Sequence, residues 1–94
     1  SIINGTVEIT VEIHVSVAEN GQCTPFEMAS NVTLSGARLV FDHPEYLKTG
    51  QPVVLCGGTL SGVFASSNLP DGWVITQQGN ALYVYPGGTV MLIR

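Results

Sequence analysis

Two short groups of side chains in this sequence could do chemistry by residue type. The first is Glu8, Glu12 and His14, which alternate with apolar residues and would share one face of a β-strand. Carboxylates beside an imidazole can bind a metal ion or pass protons in acid–base catalysis. No second cluster supplies a further metal ligand, so we interpret this face as solvated and predict no metal site.

The second group is Asp42, His43 and Glu45, which surround Pro44. Such a group could hold a cation, but it lacks the alternating carboxylates and the glycine of a calcium loop. Because proline cannot donate a hydrogen bond to a neighbouring strand, we interpret these residues as a loop that ends a strand.

Other catalytic signatures are missing from the sequence. There is no Gly-x-Ser-x-Gly elbow, neither cysteine has the flanking residues of a thiol nucleophile, and the Gly-Gly pairs precede predicted strands and not the helices of a phosphate loop. We therefore predict no catalytic residue, no cofactor and no enzymatic activity.

Cys23 and Cys56 allow a single pairing. Few lysines together with many Ser, Thr, Asn and Gly residues are typical of an extracytoplasmic protein, in which such a pair usually forms a disulfide. The bond would close a loop of about 30 residues and stabilise the fold by about 3–4 kcal/mol in the chain-entropy description. The alternative is two buried free thiols, which pack as small apolar groups. We predict the disulfide.

Three aromatic residues, Trp73, Tyr83 and Tyr85, form a candidate ligand-binding platform. Flat rings cover the apolar faces of sugars, and Tyr83 and Tyr85 would share one face of a strand over residues 81–85. The competing interpretation is that Trp73, which follows a tight turn, fills the core. A small domain depends on its few large side chains for burial, and this favours the core position for Trp73.

The elements that must position these residues are β-strands. Residues 6–17 alternate strictly between apolar and polar side chains, which predicts a long strand that bends or continues into an adjoining sheet. After it, short apolar runs, including residues 81–85 and 89–93, are separated by Gly- and Pro-containing turns such as Asn20-Gly21 and Pro70-Asp71-Gly72.

The fold class predicted from these elements is all-β, in one domain over residues 1–94, since a chain of this length forms one core. Thr33-Leu34-Ser35-Gly36 recurs 26 positions later as Thr59-Leu60-Ser61-Gly62, a distance within the range of solenoid coils. We predict short strands with a β-solenoid-like end segment, with a compact antiparallel β-sandwich as the alternative.

Charge and hydropathy exclude two classes of partner. The formal net charge is −4, whereas a surface for nucleic acid would be basic. No stretch reaches the roughly 20 apolar residues that span a bilayer. We therefore predict a chain that neither binds nucleic acid nor spans a membrane.

Residues 31–85 resemble the end of the passenger region of bacterial autotransporter-type surface proteins. The resemblance is carried by an ordered set of motifs, Asn31-Val32-Thr33-Leu34-Ser35-Gly36-Ala37, Gly58-Thr59-Leu60-Ser61-Gly62-Val63-Phe64, Leu69-Pro70-Asp71-Gly72-Trp73 and Gly79-Asn80-Ala81-Leu82-Tyr83. It implies a β-solenoid that is exported and displayed on the cell surface, without a shared active site.

These observations lead to a functional hypothesis. We expect a non-enzymatic structural or adhesive module of a bacterial surface or secreted protein, located outside the cell. Its partners would be other protein chains or a second copy, paired through a strand edge of residues 6–17 or 89–93, since neither proline nor lysine interrupts these runs. The alternative is a carbohydrate-binding module that holds glycans with Trp73, Tyr83 and Tyr85.

Overall fold

The computed structural model describes residues 2–3, 5–9 and 11–87, and these residues are organised as β-strands. The only helical element among them is a single 3-10 turn at Pro44–Tyr46, so the all-β prediction is confirmed. The strands are β1 Ile2–Ile3, β2 Thr6–Ile9, β3 Glu12–Val17, β4 Cys23–Thr24, β5 Phe26–Met28, β6 Asn31–Ser35, β7 Arg38–Phe41, β8 Gln51–Cys56, β9 Leu60–Val63, β10 Ser66–Ser67, β11 Trp73–Gln78 and β12 Ala81–Pro86. The predicted strand over residues 89–93 lies outside the described residues.

Parallel pairing arranges these strands as stacked coils. In the first sheet, of order β1-β2-β6-β9, Thr6 lies opposite Asn31 and Val32 lies opposite Leu60. In the second sheet, β10-β7-β3-β4, and in the third, β11-β12-β8-β5, the parallel partners are again 26 or 28 residues apart. The chain thus returns to the same sheet once per turn, which is the arrangement of a β-solenoid.

Three coils follow one another along the stack. The first contains β2, β3 and β5, the second contains β6, β7 and β8, and the third contains β9 and β10. In the third sheet, the place beside β8 that a third-coil strand would occupy is taken by β12, which runs antiparallel and forms a hairpin with β11. The solenoid predicted for the end segment therefore begins already at Thr6. An entirely antiparallel sandwich would not contain the five parallel pairs seen among the described strands.

The predicted long strand over residues 6–17 is divided between two sheets. β2 belongs to the first sheet and β3 to the second, and the side chain of Val11 at the corner between them is 68% exposed. The backbone carbonyl of Val11 accepts a hydrogen bond from the N–H of Arg38, at 3.2 Å, so this corner rests on the next coil. The expectation that the strand continues into an adjoining sheet is confirmed.

Apolar side chains from successive coils form columns inside the solenoid. Ile13 lies opposite Leu39, and Val15 opposite Phe41, and all four are buried. A fully buried side chain of this size contributes about 1.5–3 kcal/mol, so the columns hold the coils together. Among the described residues, no polar or charged side chain is buried.

The spacing of the coils differs from the repeat seen in the sequence. Leu34 lies opposite Gly62 and Thr33 opposite Ser61, so these coils are offset by 28 residues and not by the 26 of the sequence repeat. Because side chains alternate with a period of two, a shift of two residues keeps the same residues inside. The sequence repeat therefore identified the coil but not its register.

Candidate functional site

The hairpin of β11 and β12 separates the three aromatic residues of the predicted platform. In an antiparallel pair, residues directly opposite each other share a face, and Tyr83 and Tyr85 lie opposite Thr76 and Val74. Trp73 belongs to the alternate set, so its side chain lies on the other face of the hairpin. The structure thus brings the two tyrosines together without Trp73.

Tyr83 and Tyr85 form a stacked pair on the outer face of the hairpin. Their ring centroids are 6.0 Å apart and their planes differ by 17°. The hydroxyl of Tyr85 accepts a hydrogen bond from Nε2 of Gln78 at 2.9 Å, and its ring covers Gly50, where a Cβ atom would overlap it. Both rings are half-buried, so each presents only part of its surface to a ligand.

Trp73 packs on the inner side of the hairpin. Its half-buried ring contacts the apolar core, as does the half-buried side chain of Ile75 on the same face. This position agrees with the interpretation of Trp73 as a core residue that follows a tight turn.

The two cysteines are free and buried, so the predicted disulfide is wrong. The backbone N–H of Cys23 donates to Oε1 of Gln51, at 3.3 Å, at the start of β8, whereas Cys56 ends that strand. Five residues of strand span about 16 Å, and a disulfide needs Cα atoms within about 7 Å. The Sγ of Cys56 instead donates to the carbonyl of Gly58 at 3.2 Å. Burial raises the pKa of the Cys23 thiol.

His14 lies between two carboxylates on the outer face of the second sheet. Its Nε2 is 3.0 Å from Oε1 of Glu12, and its Nδ1 is 3.5 Å from Oδ1 of Asp42, which follows β7 on the next coil. The hydrogen bond to Glu12, and after it the one to Asp42, raise the pKa of His14. The side chain of Glu8, the third member of the predicted group, lies outside the described residues.

This cluster, which we name the His14 cluster, also includes Ser16 and Arg38. The hydroxyl of Ser16 donates to Asp42 at 3.3 Å, and the guanidinium of Arg38 is 3.7 Å from Glu12. The two ring nitrogens of His14 face different carboxylates and do not converge with them on one point. Within the described ranges, no group of three His, Cys, Asp or Glu residues could hold a metal ion. Exposed ion pairs of this kind contribute about 0–1 kcal/mol each.

The second predicted polar group is divided by the fold. Asp42 joins the His14 cluster, whereas His43 contacts Glu45 at 3.1 Å and stacks on the ring of Tyr46, with centroids 4.8 Å apart. A hydrogen bond from its own backbone, and then the one from His43, lower the pKa of Glu45. The group lies at the 3-10 turn Pro44–Tyr46, as expected for a loop that ends a strand.

The sequence gave no indication of an apolar groove at the third-coil end of the solenoid. This groove, which we name the β9 groove, has a volume of about 260 Å³ and lies between β9 and the hairpin. Beside it, Val63 is 77% exposed, the highest value among the large apolar side chains of the described residues. The lining residues are Gly62, Val63, Phe64, Ile75, Gln77 and Leu82.

Charge is distributed unevenly along the chain, and this signal was present in the sequence. Residues 1–48 carry six acidic and two basic side chains, which account for the whole net charge of −4. Residues 49–94 carry only Asp71 and Arg94. The third coil, which lies between residues 60 and 67, is therefore uncharged.

Comparison with known proteins adds no relative. Neither the protein-family profiles, nor the curated proteins, nor the solved structures gave a match to this chain. The resemblance to autotransporter passengers therefore stays a prediction. Among the described residues, no helix is both long and apolar enough to cross a membrane.

Proposed function

We propose that this chain is a non-enzymatic structural and adhesive module of a bacterial surface or secreted protein, and that it acts outside the cell. The observation that carries the proposal is the stack of coils in parallel register at intervals of 25–28 residues. A coil stack contacts only its neighbours along one axis, so it forms an extended body that can separate or present other parts of a protein.

Side-chain hydrogen bonds between the coils support a spacer role. Asn68 bonds the backbone of Phe41 on the preceding coil twice, since its Oδ1 accepts from the N–H at 2.7 Å and its Nδ2 donates to the carbonyl at 3.0 Å. Asn31 accepts from the N–H of Thr59 at 2.8 Å. These bonds run along the stack and add to the strand ladders in resisting separation of the coils.

The exposed polar side chains on the outside of the coils support the adhesive part of the proposal. On the first sheet, the hydroxyls of Thr33 and Ser61 are 3.1 Å apart and form a row across two coils. A sheet face with few charges offers hydrogen bonds to another protein surface at a small desolvation cost.

The test is display of the chain on a laboratory bacterium that lacks adhesins of its own. We expect displayed cells to attach to fixed epithelial cells and to polystyrene more strongly than cells that display Phe41→Asp, which should not fold. Equal attachment by the two strains would contradict the adhesive role. A hydrolytic activity that is lost in Glu12→Gln or His14→Asn would contradict the non-enzymatic one.

The stacked tyrosine pair favours a second candidate, a carbohydrate-binding module. The observation is that Tyr83 and Tyr85 share an outer face with parallel rings, now without Trp73. Glycan-array binding that is lost in Tyr83→Ala but kept in Trp73→Phe would support this candidate. Absence of glycan binding by the wild-type chain would exclude it.

A further inference from the structure

The two ends of the first sheet are finished differently. At one edge, β1 pairs with β2 through Ile2 and Ile3. At the other edge, β9 pairs only with β6 among the described strands. The side of β9 that faces away from β6 is the outer edge of a four-residue strand.

The hydrogen-bonding groups on this outer edge can be identified from the register. The N–H of Val32 donates to the carbonyl of Thr59, so the alternate residues, Leu60 and Gly62, face away from β6. The carbonyl of Leu60 accepts from Nε2 of Gln77 at 2.9 Å. The N–H and carbonyl of Gly62 therefore remain as the central donor and acceptor of the outer edge.

Nothing on this edge resists pairing with another strand. Natural edge strands are usually protected by lysine, proline or a charged inward residue, and β9, with the sequence Leu-Ser-Gly-Val, has none of these. Next to it lie the exposed Val63 and the β9 groove. The edge therefore combines unpaired backbone with an apolar surface.

The charge distribution identifies the occupant. A charged partner would be matched by complementary charges, and the third coil has none. Two copies of a chain with a net charge of −4 repel each other least where they meet through this uncharged part, because the net charge lies in residues 1–48. A second copy of the same chain fits these conditions.

The geometry further selects a two-fold arrangement. Head-to-tail growth of the first sheet would place β9 against β1, which has only two residues, whereas a two-fold pair places four residues against four. We propose that β9 is the docking surface for a second copy, with the two β9 strands antiparallel and Gly62 of each copy exchanging both backbone hydrogen bonds across the axis. This inference rests on the self-association included in the proposed function and names its site.

In this arrangement, Val63 of one copy lies opposite Ser61 of the other, and the two Val63 side chains are diagonal neighbours within about 7–8 Å. A charge at position 63 is thus repeated close to itself in the dimer. Because Val63 is exposed in the single chain, either Val63→Glu or Val63→Lys should leave the fold intact.

The experiment is sedimentation equilibrium of the wild-type chain, of each variant alone and of the two variants mixed in equal amounts. We expect a dimer for the wild type, dimer dissociation constants at least about tenfold higher for each variant alone, and recovery of the dimer in the mixture, where opposite charges meet. The matched controls are Val11→Glu and Val11→Lys, since Val11 is also an exposed valine but lies at the first coil.

Three outcomes would overturn this inference: a monomeric wild type at every concentration, equal effects at positions 11 and 63, or assemblies that grow beyond a dimer. Thermal melting by circular dichroism checks that each variant is folded. A monomeric wild type that still attaches in the display assay would refute the docking surface alone. A β9 dimer that attaches no better than the unfolded control would refute the adhesive function alone.

Discussion

The first-coil end and the third-coil end of this solenoid are built from similar strands but finished in opposite ways. At the first-coil end, β1 covers β2, β4 covers the end of β3, and the outer face carries the His14 cluster. At the third-coil end, the edge of β9 is uncovered and uncharged. The difference shows that a coil stack sets its own length through the treatment of its edges, and not only through the number of its repeats.

The largest expected effect separates the packing of the coils. Phe41 is fully buried in the second coil, whereas Phe64 is half-buried beside the β9 groove. We expect Phe41→Ala to lower the free energy of unfolding by about 3–5 kcal/mol and Phe64→Ala by less than half as much. Urea unfolding measures both, and equal losses would mean that the third-coil end is packed as tightly as the second coil.

Two glycines sharpen the comparison at the level of the backbone. Gly62 and Gly36 both have positive φ, at 82° and 80°. A Cβ at Gly62 would lie 2.7 Å from the carbonyl oxygen of Leu34, but a Cβ at Gly36 would meet nothing within 4 Å. We therefore expect Gly62→Ala to cost about 2–4 kcal/mol and Gly36→Ala about 1 kcal/mol. Similar melting temperatures for the two variants would contradict this close approach of neighbouring coils.

A smaller effect is expected from pH at the first-coil end. The pKa of His14 is raised by Glu12 and Asp42, and Ser16 and Arg38 complete its surroundings. Protonated His14 therefore stabilises the folded chain, fully so below the ordinary pKa of 6.5, and this contribution is lost as pH rises through the higher folded value.

Because the His14 cluster is exposed, the change in melting temperature should be slight. An NMR titration of the His14 ring gives the clearer measurement. We expect its pKa to fall toward 6.5 in Glu12→Gln and to move less in Ser16→Ala. A wild-type His14 that titrates at or below 6.5 would contradict the arrangement.

The cysteines should show no effect of reduction at all. Since Cys23 and Cys56 lie near opposite ends of β8, adding a reductant should leave the melting temperature unchanged. Thiol titration of the unfolded, unreduced chain should find both groups. Burial and the raised pKa of Cys23 should make its thiol react slowly until the chain unfolds. A lower melting temperature after reduction would restore the disulfide.

Some features of this molecule could be predicted from sequence because they depend on neighbouring residues. The alternation over residues 12–17 assigns the buried and exposed faces of β3, and each prediction of strand and face there is met in the structure. The turn at residues 70–72 likewise follows from Pro70 and Gly72, whose backbone preferences are local.

Other features were decided by contacts between residues far apart in the chain. The strict alternation continues unchanged through Val11, so it could not reveal the corner at which the chain leaves one sheet for another. The same period of two hid the difference between offsets of 26 and 28 residues, since an even shift keeps every side chain on its face.

The candidate site followed the same division. That Tyr83 and Tyr85 share a face follows from their spacing alone, but that Trp73 lies on the other face depends on the register between β11 and β12. The separation of Cys23 from Cys56 and the uncovered edge of β9 depend on which strands become neighbours. Local sequence determines the conformation and the faces of a strand, whereas the identity of its neighbours is fixed only when all the coils pack, because that choice minimises exposed apolar surface over the whole chain.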